Sequence, residues 1–161
     1  MDYMYAPWRD DYINGKEEGC PFCNIVNDDS LDNERHVLYR AKNCFLVMNK
    51  YPYTPGHFMV IPNQHADAIE ALPSEVWLEM SELVQKSVKL LKEEFRADGV
   101  NIGMNLGECG GAGIAEHVHY HIVPRWGKDT NFITTIANTR VYSTDFEKLY
   151  VKLRNKIIEN F

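Results

Sequence analysis

The segment at positions 117 to 124, HVHYHIVP, carries three histidines in strict alternation. His117, His119 and His121 are half of the six histidines in the 161-residue chain. In an extended strand, residues two apart share one face, with about 6.8 Å between successive side chains. Imidazole suits nucleophilic, acid–base and metal-binding work near neutral pH. The spacing therefore predicts a functional face of a strand, with the intervening apolar residues on the core.

A glycine-rich segment, positions 107 to 113, comes shortly before the histidines and holds four glycines. Successive backbone N–H groups in such a loop can form an anion-binding nest. Glycine-rich loops also serve as plain connections. Beside three aligned imidazoles, phosphate binding around Gly111 and Gly113 is the favoured interpretation.

Two of the four cysteines stand in the sequence Cys-Pro-Phe-Cys at positions 20 to 23. This two-residue gap lets both sulfurs reach one tetrahedral zinc ion. The same spacing occurs in redox pairs, but those are expected in a βαβ setting that is not evident here. Cys44 is expected to be a buried core thiol and Cys109 a small residue without a role.

Short apolar runs and two longer amphipathic segments indicate which elements position these residues. Strands are expected at 37–41, 44–48, 57–61, 100–106, 117–123 and 132–137. A helix is expected from Ser74 to Ala97, with Gly99 in its C-terminal stop. Thr144 and Glu147 form a capping box for a C-terminal helix. Strands joined by short turns, with helices grouped in two places, predict an α+β antiparallel sheet.

The composition is that of an ordinary globular chain, with 45% hydrophobic and 25% charged residues. One domain over 1–161 is expected, with an N-terminal segment 1–30, a core 36–138 and a helix 144–160. The formal net charge of −6 disfavours a nucleic acid polymer as partner. No apolar run spans a bilayer and the N-terminus does not resemble a secretory signal, so we expect a cytoplasmic protein without membrane contact.

The histidine segment also matches the motif of a known superfamily. HVHYHIVP is the histidine triad pattern of the HIT superfamily, and PGHFMVIPNQH resembles its strand with a further active-site histidine. APWRDDYI and EHVHYHIVPRWGKDTNFITT resemble the branch of bacterial diadenosine tetraphosphate phosphorylases and hydrolases. The resemblance implies a HIT-like fold and a nucleotide hydrolase or nucleotidyltransferase. It would cleave dinucleoside polyphosphates through a nucleotidyl-histidine intermediate, by phosphorolysis or hydrolysis.

The resemblance also implies roles for individual residues. His119 would be the nucleophile, and His121 and His57 would contact the phosphates and assist the leaving group. Asn49 would bind the ribose, and Asn105, at the head of the glycine loop, would contact phosphate. Many hydrolase-type relatives carry glutamine where this chain has Gly113, so the acceptor of the nucleotidyl group stays open.

Zinc-bearing members of the superfamily complete the cysteine pair with two histidines. At the matching positions this chain has His65 and His117, which with Cys20 and Cys23 imply a structural Cys₂His₂ site holding one Zn²⁺ per chain. No organic cofactor is expected. Members of the superfamily usually dimerise, so a homodimer is expected as well.

Three other functions are consistent with the same residues. The first is a nucleoside phosphoramidase, which the width of a pocket for a second base would discriminate; Tyr51, Tyr53, Trp126 and the N-terminal segment could line that pocket. The second is a zinc hydrolase that uses the three histidines as ligands. The third is a non-catalytic nucleotide-binding module, which would form no covalent nucleotidyl adduct.

Overall fold

The computed structural model describes residues 19–127, 129, 132–137 and 144–161, and in these ranges it has five strands and four α-helices. In chain order the elements are α1 (Pro21–Asn27), β1 (Val37–Arg40), β2 (Cys44–Met48), β3 (Phe58–Pro62), α2 (Ser74–Glu94), β4 (Gly99–Gly103), β5 (Tyr120–Arg125), α3 (Phe132–Ala137) and α4 (Phe146–Asn160). The strands form one sheet in the order β1-β2-β3-β5-β4, and every neighbouring pair is antiparallel. The predicted α+β antiparallel fold is confirmed.

The two faces of the sheet bury different clusters because side chains alternate along each strand. On β2, Leu46 belongs to the larger cluster, formed with α2 and α4, whereas Phe45 belongs to a smaller cluster that includes Phe22 of α1. Cys44 lies on the larger side, and burial raises the pKa of its thiol to about 12. It is the buried core thiol that the sequence predicted.

The histidine segment enters the sheet later than predicted. β5 begins at Tyr120, so His117 and His119 precede the strand rather than lie in it. The reason is a change of partner, because the N–H of Val118 donates to the carbonyl of Ala66, beyond the end of β3, at 2.8 Å. From Tyr120 onward the register is regular, and His121 lies opposite Met59.

Two further expectations about element ends and types are wrong. Helix α2 ends at Glu94, and the left-handed residue after it is Arg96, with φ of +52°, not a glycine. Gly99 instead starts β4. Residues 132–137 form a helix rather than a strand; Phe132 and Ile136, which are four apart, are both exposed. This spacing suits one side of a helix.

The capping box predicted for the C-terminal helix is also wrong. The N-cap of α4 is Asp145, whose Oδ1 accepts a hydrogen bond from the backbone N–H of Lys148 at 3.1 Å. Glu147 instead contacts His36, with 2.7 Å between Oε1 and Nε2. In the described part of the chain, no helix has the length and apolar character needed to cross a membrane.

Candidate active site and metal centre

Four of the predicted site residues lie close together on the α1 side of the sheet. His57 directly precedes β3, His121 lies in the neighbouring β5, and His119 stands just before β5. The ring centroids of His119 and His121 are 4.9 Å apart, and those of His121 and His57 are 5.1 Å apart. Asn49 follows β2 and reaches the ring of His57. The strand order thus brings together residues up to 72 positions apart in the sequence.

The ring of His119 is held through one nitrogen. Its Nδ1 lies 2.8 Å from the carbonyl oxygen of His117. A carbonyl only accepts, so Nδ1 must carry the proton, and in the neutral ring Nε2 keeps its lone pair. Burial lowers the pKa of His119, whose side chain is 5% exposed, and so favours this neutral form. The arrangement leaves Nε2 as a nucleophilic nitrogen.

The other two rings form a directed chain of hydrogen bonds. The backbone N–H of Tyr53 donates to Nδ1 of His57 at 3.1 Å, so the proton of neutral His57 is on Nε2. This Nε2 lies 3.0 Å from Nδ1 of His121, which therefore accepts. The proton of neutral His121 is consequently on Nε2, where it can be donated beyond the chain.

Both rings of this pair are held in the neutral state. Burial lowers the pKa of His57 to about 3, with smaller contributions from the neighbouring His121 and His119. Burial, followed by the proximity of His119, lowers the pKa of His121 to about 4. Without a ligand, the site therefore carries no positive charge on these rings at pH 7. A bound polyphosphate would favour the protonated form of His121, because a nearby anion stabilises a cation.

Asn49 is oriented by the turn that follows β2. Its Oδ1 accepts a hydrogen bond from the backbone N–H of Tyr51 at 2.8 Å. Its Nδ2 then lies 3.3 Å from Nε2 of His57, and both nitrogens are donors in the assigned states. The ring therefore does not satisfy the amide N–H groups, which suits Asn49 to binding an oxygen of a ligand.

The glycine segment is held in part by a hydrogen bond from Asn105 at its head. Nδ2 of Asn105 donates to the carbonyl oxygen of Gly111 at 3.4 Å. Gly111 has φ of +87°, a left-handed conformation that strains residues with a Cβ, and Gly113 is exposed. The structure thus brings Asn105 to the loop, and phosphate binding by these three residues stays a prediction. Cys109 lies exposed in the same loop.

The second cluster consists of the predicted metal ligands, Cys20, Cys23, His65 and His117. Their ligand atoms all lie within 4.8 Å of one another. Sγ of Cys20 is 3.4 Å from Nδ1 of His117, and Sγ of Cys23 is 3.2 Å from Nδ1 of His65. Tetrahedral zinc with ordinary bond lengths would separate sulfur and nitrogen ligands by about 3.6 Å. These distances and the donor set fit a closed metal site.

A hydrogen bond at Nε2 of His117 leaves the other ring nitrogen, Nδ1, available as a metal ligand. Nε2 lies 2.9 Å from the carbonyl oxygen of Pro62, so it carries the proton and leaves Nδ1 free to bind a metal. Such carbonyl partners commonly orient metal-binding histidines. The ring of His117 therefore belongs to the cysteine cluster and not to a three-histidine site with His119 and His121. This geometry disfavours the zinc hydrolase that would use the triad as ligands.

A comparison with known proteins identifies the family of this chain. A model of the HIT domain matches residues 30–128, which is more than half of the chain. The chain belongs to the HIT family. Its HIT relatives include the AP-4-A phosphorylase of Mycobacterium tuberculosis, 39% identical over 142 residues, which is 88% of this chain and 72% of the relative.

Two other HIT relatives extend the comparison. Bis(5'-nucleosyl)-tetraphosphatase [asymmetrical] of Schizosaccharomyces pombe is 33% identical over 107 residues, covering 66% of this chain and 56% of the relative. The crystal structure of a Zn-bound histidine triad family protein from Mycobacterium smegmatis superposes with a TM-score of 0.70 at 29% identity. That superposition covers 88% of this chain and 94% of the other. The HIT fold is therefore shared across the matched region.

Two features of this HIT site were missed by the sequence reasoning. Phe22, between the two cysteines, packs edge-on against His117 and His119, with centroid distances of 5.4 and 5.2 Å. The backbone N–H of Tyr53 fixes the tautomer of His57. Backbone donors leave no residue-type signal, and Phe22 could have been found only as part of the cysteine motif. The indole N–H of Trp126 donates to the carbonyl oxygen of Phe95 beside α2, and a role of Trp126 near a second base stays a prediction.

Proposed function

We propose that this HIT protein cleaves dinucleoside polyphosphates, such as diadenosine tetraphosphate, by transferring a nucleotidyl group to Nε2 of His119. The observation that carries the proposal is the hydrogen bond from Nδ1 of His119 to the carbonyl of His117, which leaves Nε2 unprotonated. The names of the relatives, AP-4-A phosphorylase and bis(5'-nucleosyl)-tetraphosphatase, support the substrate class.

In the first step, the Nε2 lone pair of His119 attacks the α-phosphorus of one nucleotide. The bond from that phosphorus to the bridging oxygen breaks, and the oxygen departs with the electron pair. Nε2–H of His121 points away from His57 and can donate to the departing oxygen. The nucleotidyl-imidazolium that forms keeps its Nδ1–H on the carbonyl of His117, which stabilises the new positive charge.

In the second step, an acceptor oxygen attacks the phosphorus and the P–N bond to His119 breaks. With inorganic phosphate as acceptor, diadenosine tetraphosphate gives ADP and ATP; with water, it gives AMP and ATP. Identity of 39% with a relative named as a phosphorylase favours phosphate. Asn49 would hold the ribose of the transferred nucleotide, and Asn105, Gly111 and Gly113 would contact its phosphates.

For the metal cluster, we propose one structural Zn²⁺ per chain, held by Cys20, Cys23, His65 and His117. The ligand spacing and the Zn-bound relative support this assignment. Four protein ligands leave no open position for water or substrate, so the ion would supply rigidity rather than catalysis. It would join α1 to the segment that carries His119.

We further propose that the protein works in the cytoplasm as a homodimer. All four cysteines are unpaired thiols, the state that a reducing compartment maintains. β4 is an edge strand with exposed Ile102, a type of edge that another copy can cover. Light scattering coupled to size-exclusion chromatography tests the dimer; a monomer at micromolar concentration would refute it.

A substrate assay with product identification tests the proposed activity. The purified protein is incubated with diadenosine tetraphosphate, with and without inorganic phosphate, and the nucleotides are separated by chromatography. ADP with ATP indicates phosphorolysis, and AMP with ATP indicates hydrolysis. If neither pair forms, the dinucleotide proposal is wrong. A module that only binds nucleotides would also give no acid-labile adduct on His119.

A further inference from the structure

We propose that the ring of Tyr53 is a stacking platform for the base of the leaving nucleotide, and that it makes the site prefer dinucleoside polyphosphates over substrates with a small leaving group. The inference rests on the proposed function and adds a specificity-determining residue to it. It follows from how five rings are arranged around the site and from which of them reaches solvent.

The five rings form a continuous row, in the order Phe22, His119, His121, His57 and Tyr53. Successive centroids are 5.2, 4.9, 5.1 and 4.5 Å apart. The two ends of the row differ, because Phe22 is 4% exposed and Tyr53 is 57% exposed. The end next to the nucleophile is therefore closed, and the end beyond His57 is open.

Tyr53 contacts His57 and His121, the two histidines that would contact the departing group. Its ring is tilted by 43° over His57, and it lies 5.7 Å from the ring of His121 at 32°. Its backbone N–H donates to Nδ1 of His57, and this hydrogen bond fixes Tyr53 at the open end of the row. One side of the phenol ring is thus held against the histidines, while much of the ring stays open to a ligand.

The direction of the reaction assigns the occupant of this open ring. The departing oxygen leaves the phosphorus on the side opposite the attacking His119, and His121 is the ring positioned to donate to it. Because the row of rings is closed at Phe22 and open at Tyr53, we expect the group that follows that oxygen to extend past His121 toward Tyr53. In a dinucleoside polyphosphate this group ends in a base, and a base stacks well on an exposed aromatic ring. A small leaving group has nothing to place there.

The test compares two substrates in matched variants at position 53. Tyr53→Ala removes the ring but keeps the backbone N–H that orients His57, and Tyr53→Phe keeps the ring without the hydroxyl. The substrates are diadenosine tetraphosphate and adenosine 5'-monophosphoramidate, which share the transferred adenylyl group. We measure kcat/KM for both, and the ratio of the two values reports preference for the leaving nucleotide.

We expect Tyr53→Ala to lower this ratio roughly 10-fold, as loss of one stacked base predicts. Tyr53→Phe should keep the ratio within about 2-fold, because stacking needs the ring and not the hydroxyl. An equal fall of both kcat/KM values in Tyr53→Ala would overturn the inference, since it would assign the ring to shielding or orienting His57. A wild-type protein that cleaves only the phosphoramidate would instead refute the proposed function, and with it the need for a second base platform.

Discussion

The carbonyl oxygen of His117 accepts a hydrogen bond from Nδ1 of His119 at 2.8 Å, while the imidazole of the same His117 lies in the metal cluster. One residue thus contributes its side chain to one site and its backbone to the other. The ring is further fixed by the carbonyl of Pro62. Movement of the cluster of proposed metal ligands would therefore displace the acceptor that holds His119, the proposed nucleophile, in the tautomer with an unprotonated Nε2.

The first prediction concerns the nucleophile. In His119→Asn, the side-chain amide can still donate to the carbonyl of His117, but the nitrogen corresponding to Nε2 is gone. We expect kcat for diadenosine tetraphosphate to fall by roughly 10³-fold or more, as with loss of other covalent nucleophiles. Mass spectrometry after rapid quenching should find a nucleotidyl adduct on the wild-type protein and none on the variant.

His36→Asn is the matched control for that variant. His36 lies outside the ring row, against Phe146 and Tyr150 of α4, and its φ of +58° suits asparagine better than most residues. This variant should retain near wild-type activity. An active His119→Asn protein, or an adduct mapped to a different histidine, would disprove the assigned nucleophile.

The second prediction concerns the metal. Wild-type protein prepared without chelators should contain about one zinc per chain, measured by elemental analysis. Cys23→Ser should lose most of this zinc and unfold at a Tm lower by about 5 °C or more, because binding energy at such a site is also folding energy. Cys109→Ser, a cysteine change in an exposed loop, should alter neither quantity. Zinc-free wild-type protein with the same Tm as Cys23→Ser would contradict the proposal.

The parts of the fold that could be predicted are those set by local apolar runs and by periodicity. Both β2 and β3 are buried along their whole length, which follows from their continuous apolar sequences, and α2 follows from its three- and four-residue spacing. The grouping of His57 with His121 was available only through the family resemblance. These rings come together because β3 pairs with β5. The two strands are more than 50 residues apart in the sequence, so no local pattern indicates that they pair.

Other features could not be predicted because their causes are backbone contacts between distant segments. The late start of β5 depends on Ala66, and the protonation state of His117 depends on Pro62. The left-handed residue after α2 is Arg96 and not the expected Gly99, because the chain turns before it reaches Gly99. The types of these residues do not indicate such backbone contacts.

The third prediction tests the corrected N-cap of α4. Asp145→Ala removes the carboxylate that accepts from the N–H of Lys148, and it should lower the free energy of unfolding by about 1 kcal/mol. Thr144→Ala is the matched control and should change it by less than about 0.5 kcal/mol, because Thr144 is exposed and lies outside the cap. Urea denaturation measures both values. A larger loss in Thr144→Ala than in Asp145→Ala would restore the capping box.

The fourth prediction concerns stability against pH. The pKa values of His57 and His121 in the folded protein are about 3 and about 4, against about 6.5 in the unfolded chain. Between these limits the unfolded chain binds protons that the folded one does not, so the free energy of unfolding must fall as pH decreases. Each histidine contributes a slope of at most about 1.4 kcal/mol per pH unit below pH 6.5, and no slope well above it.

His121→Asn isolates one of these two contributions. Its side-chain oxygen can still accept from Nε2 of His57, so the hydrogen-bonded chain keeps its direction while one titrating ring is removed. Urea denaturation at about pH 8.5, 7.5, 6.0 and 5.0 should show the same slope of unfolding free energy against pH in both proteins above pH 6.5, and a shallower fall in the variant below it. The difference should approach about 1.4 kcal/mol per pH unit near pH 5. Parallel curves from pH 6.0 to 5.0 would mean that His121 takes up its proton in the folded state, and a ring that charges so readily could not remain the neutral acceptor of His57.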